Sequence, residues 1–247
     1  MNAQLAILTV ALRRLVTRKR IIGLILFASV PALVVLVAST GDRGPDQLAN
    51  LYHDTTFGIL LAVALPVVAI VNATAALGDE RRSHTMPFLV LKPIPRWAIA
   101  LPATAASVGA TLAVAIVGVG LGWLAGGYAT GTWDIGAGPA VGALVTAIGY
   151  GTVFVPIGLL TRRATVIGLI YLFLWEASFA NAVGALAPTS LNHIALSAYA
   201  DLAPDISAAE ALGSLEPGIG GAVTKVAILA VISLAATTWA LRRRDLA

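Results

Sequence analysis

The sequence predicts an all-α membrane protein with six transmembrane helices, and three observations carry that prediction. Of the 247 residues, 58% are hydrophobic and only 11% are charged, against about 25% charged in a soluble domain. A water-soluble fold of this length could not hide so much apolar surface. Six stretches are long and apolar enough to span a bilayer, which takes roughly 20 residues at about 1.5 Å each across a ~30 Å core. The basic residues fall between those stretches in strict alternation.

The elements follow in chain order within a single domain covering 1–247. Residues 1–20 predict an interfacial helix: Leu5, Leu8, Leu12 and Leu15 recur at helical spacing, and the basic residues cluster at its end. A topology signal of positive charge alone is the simpler reading of the same residues. The first span is Ile21 to Ser39, an uncharged run that reads as a retained anchor rather than a cleaved signal. The second covers about 55–77, with a kink expected at Pro66. The third runs over 97–128, the fourth over 135–161, and the fifth over 164–187, where Glu176 is the one charge. The sixth, 218–241, carries Lys225 near one end, where a long side chain can snorkel to the interface. A short helix over about Ser207 to Leu215 is expected before it, because Ser207-Ala208-Ala209-Glu210 fits a capping box. Nearby, Leu191, Ile194 and Leu196 would sit poorly in open water, so the flanking pieces are expected to re-enter the membrane edge.

Of the 16 basic residues, 14 lie in the N-terminal segment, the loops after spans two and four, and the C-terminal tail. The other three loops hold only Arg43 among bases, with eight acidic residues. Both termini are therefore expected in the cytoplasm. The same distribution sets aside the nucleic-acid reading that a pI near 9.8 invites, since the charges form no single soluble face. There is no cysteine, hence neither a disulfide framework nor a thiolate metal site. His53, His84 and His193 are distant in sequence, there is no cysteine, and Met1 and Met86 are the only methionines, so a metal role is not expected.

The loop from Gly78 to Arg96 is longer than the two to eight residues that antiparallel helices need. It mixes charge, three prolines and the apolar residues Met86, Phe88, Leu89 and Leu91, which fits a short helix docking into a partner's groove or dipping into the bilayer surface. Inside the spans, Glu176 costs about 2.5–3.5 kcal/mol to insert and must face a cavity or another helix. It either lines a path or an interface between subunits, or makes a structural contact within one bundle. Asn72 and Asn181 lie at similar depth as possible partners, each also readable as interhelical glue. Gly118 and Gly122 form a Gly-x-x-x-Gly spacing, a weak packing signal in spans this rich in Gly and Ala.

The Gly78–Arg96 loop resembles the cytoplasmic segment of ABC-2 type permeases. Glu80, Thr85, Leu89 and Pro93-Ile94-Pro95-Arg96 stand where that family has a Glu, a Thr, a Leu and a Pro-hydrophobic-small-Arg ending. The sequence departs from the pattern at His84, Pro87 and Pro95. The resemblance implies the permease subunit of an ABC exporter, working with a second permease copy or homologue. It implies that Glu80, Arg81, Thr85, Met86, Phe88, Leu89, Pro93 and Arg96 form a coupling segment seated in two separate ATPase subunits. No Gly-x-x-x-x-Gly-Lys-Ser/Thr motif is present, so no cofactor is expected on this chain, ATP and Mg being held by the partner ATPase. It is not expected to be an enzyme, and its place is a prokaryotic inner or plasma membrane. Two other readings stand beside this one. An ion-coupled secondary transporter would use two inverted three-span repeats, but needs several buried ion-coupling groups where the spans offer one buried acid. A membrane scaffold explains the hydrophobicity but not the shaped loop. The cargo is open.

Overall fold

The computed structural model describes residues 8–12, 15, 18–82, 95–179, 188–203 and 218–243. The regular elements among them are all helical: α1 (Arg18–Ala28), α2 (Val30–Ala38), α3 (Pro45–Thr55), α4 (Leu65–Arg82), α5 (Trp97–Thr130), α6 (Ala137–Leu160), α7 (Ala164–Ile170), α8 (Leu191–Ala200) and α9 (Gly218–Arg243), with wide π turns at Thr56–Ala64 and Tyr171–Phe179. Among the described residues, four helices are long and apolar enough to cross a membrane: Pro45–Arg81, Trp97–Thr130, Asp134–Leu160 and Gly218–Arg242. They overlap the apolar stretches over 55–77, 97–128, 135–161 and 218–241.

Two expectations need correction. The first apolar stretch is two helices rather than one, parting at Ser29. Pro31 cannot donate the bond that would continue α1, and the Ser29 hydroxyl donates back to the Leu26 carbonyl instead (2.9 Å). The second span begins ten residues earlier than its hydropathy suggests, at Pro45, a residue suited to the first helical turn. The polar surface of α3 hides its apolar face, on which Leu48 and Tyr52 are buried. In the segment before the last span, the capping-box helix expected over 207–215 lies outside the described residues. The described helix is α8, where Leu191, Ile194 and Leu196 are indeed buried.

The fifth span is described over its first part, where α7 runs on into the π segment ending at Phe179; its continuation over 180–187 lies outside the described residues. At the N-terminus, Leu8, Leu12 and Leu15 lie in helical backbone. Leu15 is buried against Ala75, Ala106 and Ala110, with Leu8 and Leu12 packed beside it. The leucine stripe therefore grips α4 and α5 rather than facing only lipid.

The π turn over Thr56–Ala64 closes with the Leu65 N–H on the Leu60 carbonyl, immediately before Pro66. The wider turn makes room for the Pro66 ring, which would clash in a regular α-turn. At the centre of the bundle, α6 packs on α4, α5, α8 and α9. Tyr150 and Phe154 of α6 stack face to face, 6.1 Å between centroids, among Ile70, Ala73, Ile99 and Leu172. A second cluster lies towards the other end, where Leu60, Leu61 and Leu65 meet Val114 and Tyr199.

Candidate functional site

Two places hold the sequence-predicted residues, one at each end of the polar chemistry. The first is the end of the bundle from which the 83–94 segment departs. Thr85, Met86, Phe88, Leu89 and Pro93 lie outside the described residues; Glu80, Arg81 and Arg96 are described. Glu80 and Arg81 are in the last turn of α4, and Arg96 is the residue before α5, its carbonyl accepting from the Ile99 and Ala100 N–H groups (both 3.1 Å). The Arg81 guanidinium donates to the Leu159 carbonyl (3.1 Å), one of the last carbonyls of α6. A cation there satisfies an orphan acceptor and complements the negative end of the helix dipole.

Just inside this contact, α4 and α6 touch backbone to backbone. A Cβ on Gly158 would lie 2.5 Å from the Thr74 carbonyl oxygen, and one on Gly78 would lie 3.1 Å from the Gly158 oxygen. The Thr74 hydroxyl bonds its own Ile70 carbonyl (2.7 Å) and meets the Thr165 hydroxyl of α7 (2.9 Å). Three helix ends are thus fixed to one another beside the departing segment.

The second place is Glu176, buried inside the bundle at 2% exposure. It lies in the π segment that continues α7. Tyr171 donates its hydroxyl to Glu176 Oε1 (2.7 Å), and the Leu191 N–H donates to the same oxygen (2.9 Å). The Ser190 hydroxyl and the Asn192 N–H (3.3 Å) donate to Oε2. A carboxylate has roughly four lone-pair sites, and four donors converge on this one. Ser190 is itself the N-cap of α8, its oxygen accepting from the His193 N–H (3.0 Å). Glu176 therefore sits on the positive end of α8, where an anion is favoured. The Tyr150 hydroxyl lies close enough to feel the carboxylate but has no hydrogen bond of ordinary geometry.

The π geometry is what brings Tyr171 to Glu176. Five residues apart in an α-helix, the two would point roughly 140° apart; in a π turn they share a face. The same spacing appears in the Ser178 hydroxyl bonding the Phe173 carbonyl (3.2 Å).

The far end of α8 is also held. The Tyr199 hydroxyl meets His53 Nδ1 of α3 (2.7 Å), and Asp201 accepts from the Ile219 N–H at the start of α9 (2.9 Å). Gly218 makes this closure possible with a left-handed backbone (φ 56°). Sequence reasoning missed Ser190, Tyr171 and Asp201. The Thr189-Ser190 pair before an apolar run was a readable N-cap signal; the other two had none.

Asn72 is buried and donates to the Thr111 hydroxyl (3.2 Å), which donates in turn to the Ser107 carbonyl (2.9 Å). Ser107 in turn donates to the Gly151 carbonyl (3.0 Å). This polar run ties α4, α5 and α6 together and does not reach Glu176. Asn181 lies outside the described residues. Gly118 and Gly122 pack within the chain: Gly118 closes on Leu60 and Ala28, and Gly122 on Tyr52.

The chain matches the family model described as "ABC-2 family transporter protein" over residues 16–183, about two thirds of its length. No curated protein matches it. The match runs from the N-terminal basic cluster through the Glu176 helix and includes the whole 78–96 segment. Permeases of this family generally pair with ABC ATPase subunits, and the permease is the transport subunit rather than the catalyst. With its long apolar helices, and on the strength of that match, this multi-pass membrane protein belongs to the ABC-2 family of transporter proteins.

Proposed function

We propose that the chain is the permease of an ATP-driven exporter, with six spans in one domain, both termini cytoplasmic, in a prokaryotic plasma membrane. Two permeases, identical or homologous, would form the translocation path. Each would seat its 78–96 segment in a separate ATPase that holds ATP and Mg, leaving this chain without a cofactor of its own.

The observation that supports this reading best is the anchoring of the segment's base. Arg81 is fixed to the end of α6, and the Thr74–Gly158–Gly78 contact leaves no slack between α4 and α6. A push delivered at residues 83–94 would enter two core helices as one body rather than bend a loose loop. Packed cores transmit such displacements because they deform little. Glu80, Arg81, Thr85, Met86, Phe88, Leu89, Pro93 and Arg96 are the residues assigned to this contact.

The ion-coupled alternative gains nothing from Glu176, the acid it would depend on. Its oxygens are already occupied by four donors, so it holds α8 in place and offers no open site for a travelling cation. We assign Glu176 a positioning role on that ground.

The test is copurification of the detergent-solubilised chain with ABC ATPases encoded beside its gene, repeated for Glu80→Ala and Leu89→Asp. An ATPase that binds wild type and is lost on these changes is the expected result. If no ATPase binds wild type, the exporter reading fails.

A further inference from the structure

We propose that the groove between α5 and α6 is a binding site for one membrane aminophospholipid, its acyl chain along the groove and its primary ammonium beside Asp134. The cavity measures about 740 Å³ and is lined almost wholly by apolar side chains, among them Leu112, Ile116 and Val119 of α5 and Ala140 and Leu144 of α6. It opens on the outside of the bundle, where Ile116 is 72% exposed. In a membrane-spanning pair of helices that side faces hydrocarbon. From Leu112 to Trp123 is about 16 Å along the helix, close to half of a ~30 Å hydrocarbon core. The groove thus has the depth of one leaflet.

Its upper end is built rather than merely open. The Trp123 indole N–H donates to the Trp133 carbonyl (2.8 Å), and the two rings meet edge to face, 5.4 Å between centroids. Each ring rests on a glycine of the opposite element. A Cβ on Gly127 would meet the Trp133 ring at 2.5 Å, and one on Gly136 the Trp123 ring at 2.7 Å. A fixed, partly exposed tryptophan pair at the end of a span marks the headgroup level.

The one charged side chain that lines the groove is an exposed acid. From Tyr128 to Ala137 the only charged residue is Asp134, which lines the groove's mouth. A carboxylate complements an ammonium and repels an anionic headgroup. A primary amine can also donate to it a charge-assisted hydrogen bond, which a trimethylammonium cannot. The site needs no ATPase and no transport cycle, so it stands or falls apart from the exporter reading.

The full chain would be reconstituted with equimolar phosphatidylethanolamine, phosphatidylcholine and phosphatidylglycerol. It would then be released in mild detergent and its bound lipids counted by native mass spectrometry. We expect one retained lipid per chain, with phosphatidylethanolamine favoured about tenfold, the ratio that one charge-assisted hydrogen bond supports. In Asp134→Asn the lipid should stay and the preference fall to near unity. In Ala140→Phe, which fills the groove, and Ile116→Trp, which blocks its lip, the lipid should be lost at unchanged melting temperature. Equal retention of phosphatidylcholine by wild type would overturn the headgroup assignment. Lipid retained undiminished in both blocking variants, or a lipid-free wild-type dimer that either blocking variant splits, would overturn the site.

Discussion

Glu176 shows at the scale of one residue how burial and role can part company. Its place in an apolar run makes it look like a pathway acid, while its partners make it a helix cap. Glu176→Ala would leave the Ser190 hydroxyl and the Leu191 and Asn192 N–H groups facing an empty apolar space. The expected loss is about 1.5–3 kcal/mol, the range for hydrogen bonds to a charged group. Hydrogen exchange should localise that loss to residues 191–200, with the α4–α6 contact unaffected. Unchanged exchange there, together with lost transport, would return Glu176 to the pathway. Asn72 makes the contrasting case. Its amide N–H donates to Thr111, and its Oδ1 is buried with no partner among the described residues. Asn72→Leu exchanges a half-satisfied amide for an apolar side chain of similar size, and should change stability by under about 1 kcal/mol; a thermal melt in detergent decides it. The sequence placed both residues at membrane depth because cost and hydropathy are local properties. It could not say what they bond to, because Ser190 and Thr111 are distant in the chain and Tyr171 is reached only through a π turn.

At the scale of elements, the bundle is set by where backbones can approach. Gly158 and Gly23 are both helical glycines, and only one is pressed against a neighbour. A methyl on Gly158 would enter the Thr74 backbone at 2.5 Å, whereas nothing lies within 4 Å of one on Gly23. Gly158→Ala should therefore destabilise by about 1–3 kcal/mol, the usual cost of overpacking. Gly23→Ala should be neutral or stabilise by up to about 1 kcal/mol through helix propensity. Melting the two variants in parallel checks both; equal shifts would mean that α4 and α6 have room to separate. Among elements, the long helices α5, α6 and α9 were legible because hydropathy and length agree in them. The extra turns of α3 were not, because Asp46, Gln47 and Asn50 lower the average while Leu48 and Tyr52 still bury. The break between α1 and α2 depends on which proline meets which carbonyl, and a window average over Ile21 to Ser39 cannot register it.

At the scale of the molecule, the geometry of α8 bears on the number of crossings. The short helix starts at the Glu176 carboxylate, inside the bundle, and ends at Tyr199, bonded to His53. His53 lies in the opening turns of the helix that starts at Pro45, and Arg81, at the other end of that apolar run, touches the end of α6. Asp201 then caps the start of α9. Residues 201–202 therefore lie at the end of the bundle opposite to Arg81 and Leu159, and α8 leads away from the level of Glu176 towards the His53 end. A chain without cysteine allows this to be read directly. Single cysteines at Gly41, Thr132, Leu202 and Arg162, all in exposed positions, would be probed in intact cells with a membrane-impermeant maleimide. With six spans and cytoplasmic termini, Gly41→Cys, Thr132→Cys and Leu202→Cys should label from outside, and Arg162→Cys only after permeabilisation. If Leu202→Cys instead behaves like Arg162→Cys, the fifth stretch and α8 form a hairpin returning to its own side, and the six-span topology fails. Joint labelling of Leu202→Cys and Thr132→Cys would fix the fifth crossing, for which the apolar run over 164–187 is the only sequence signal.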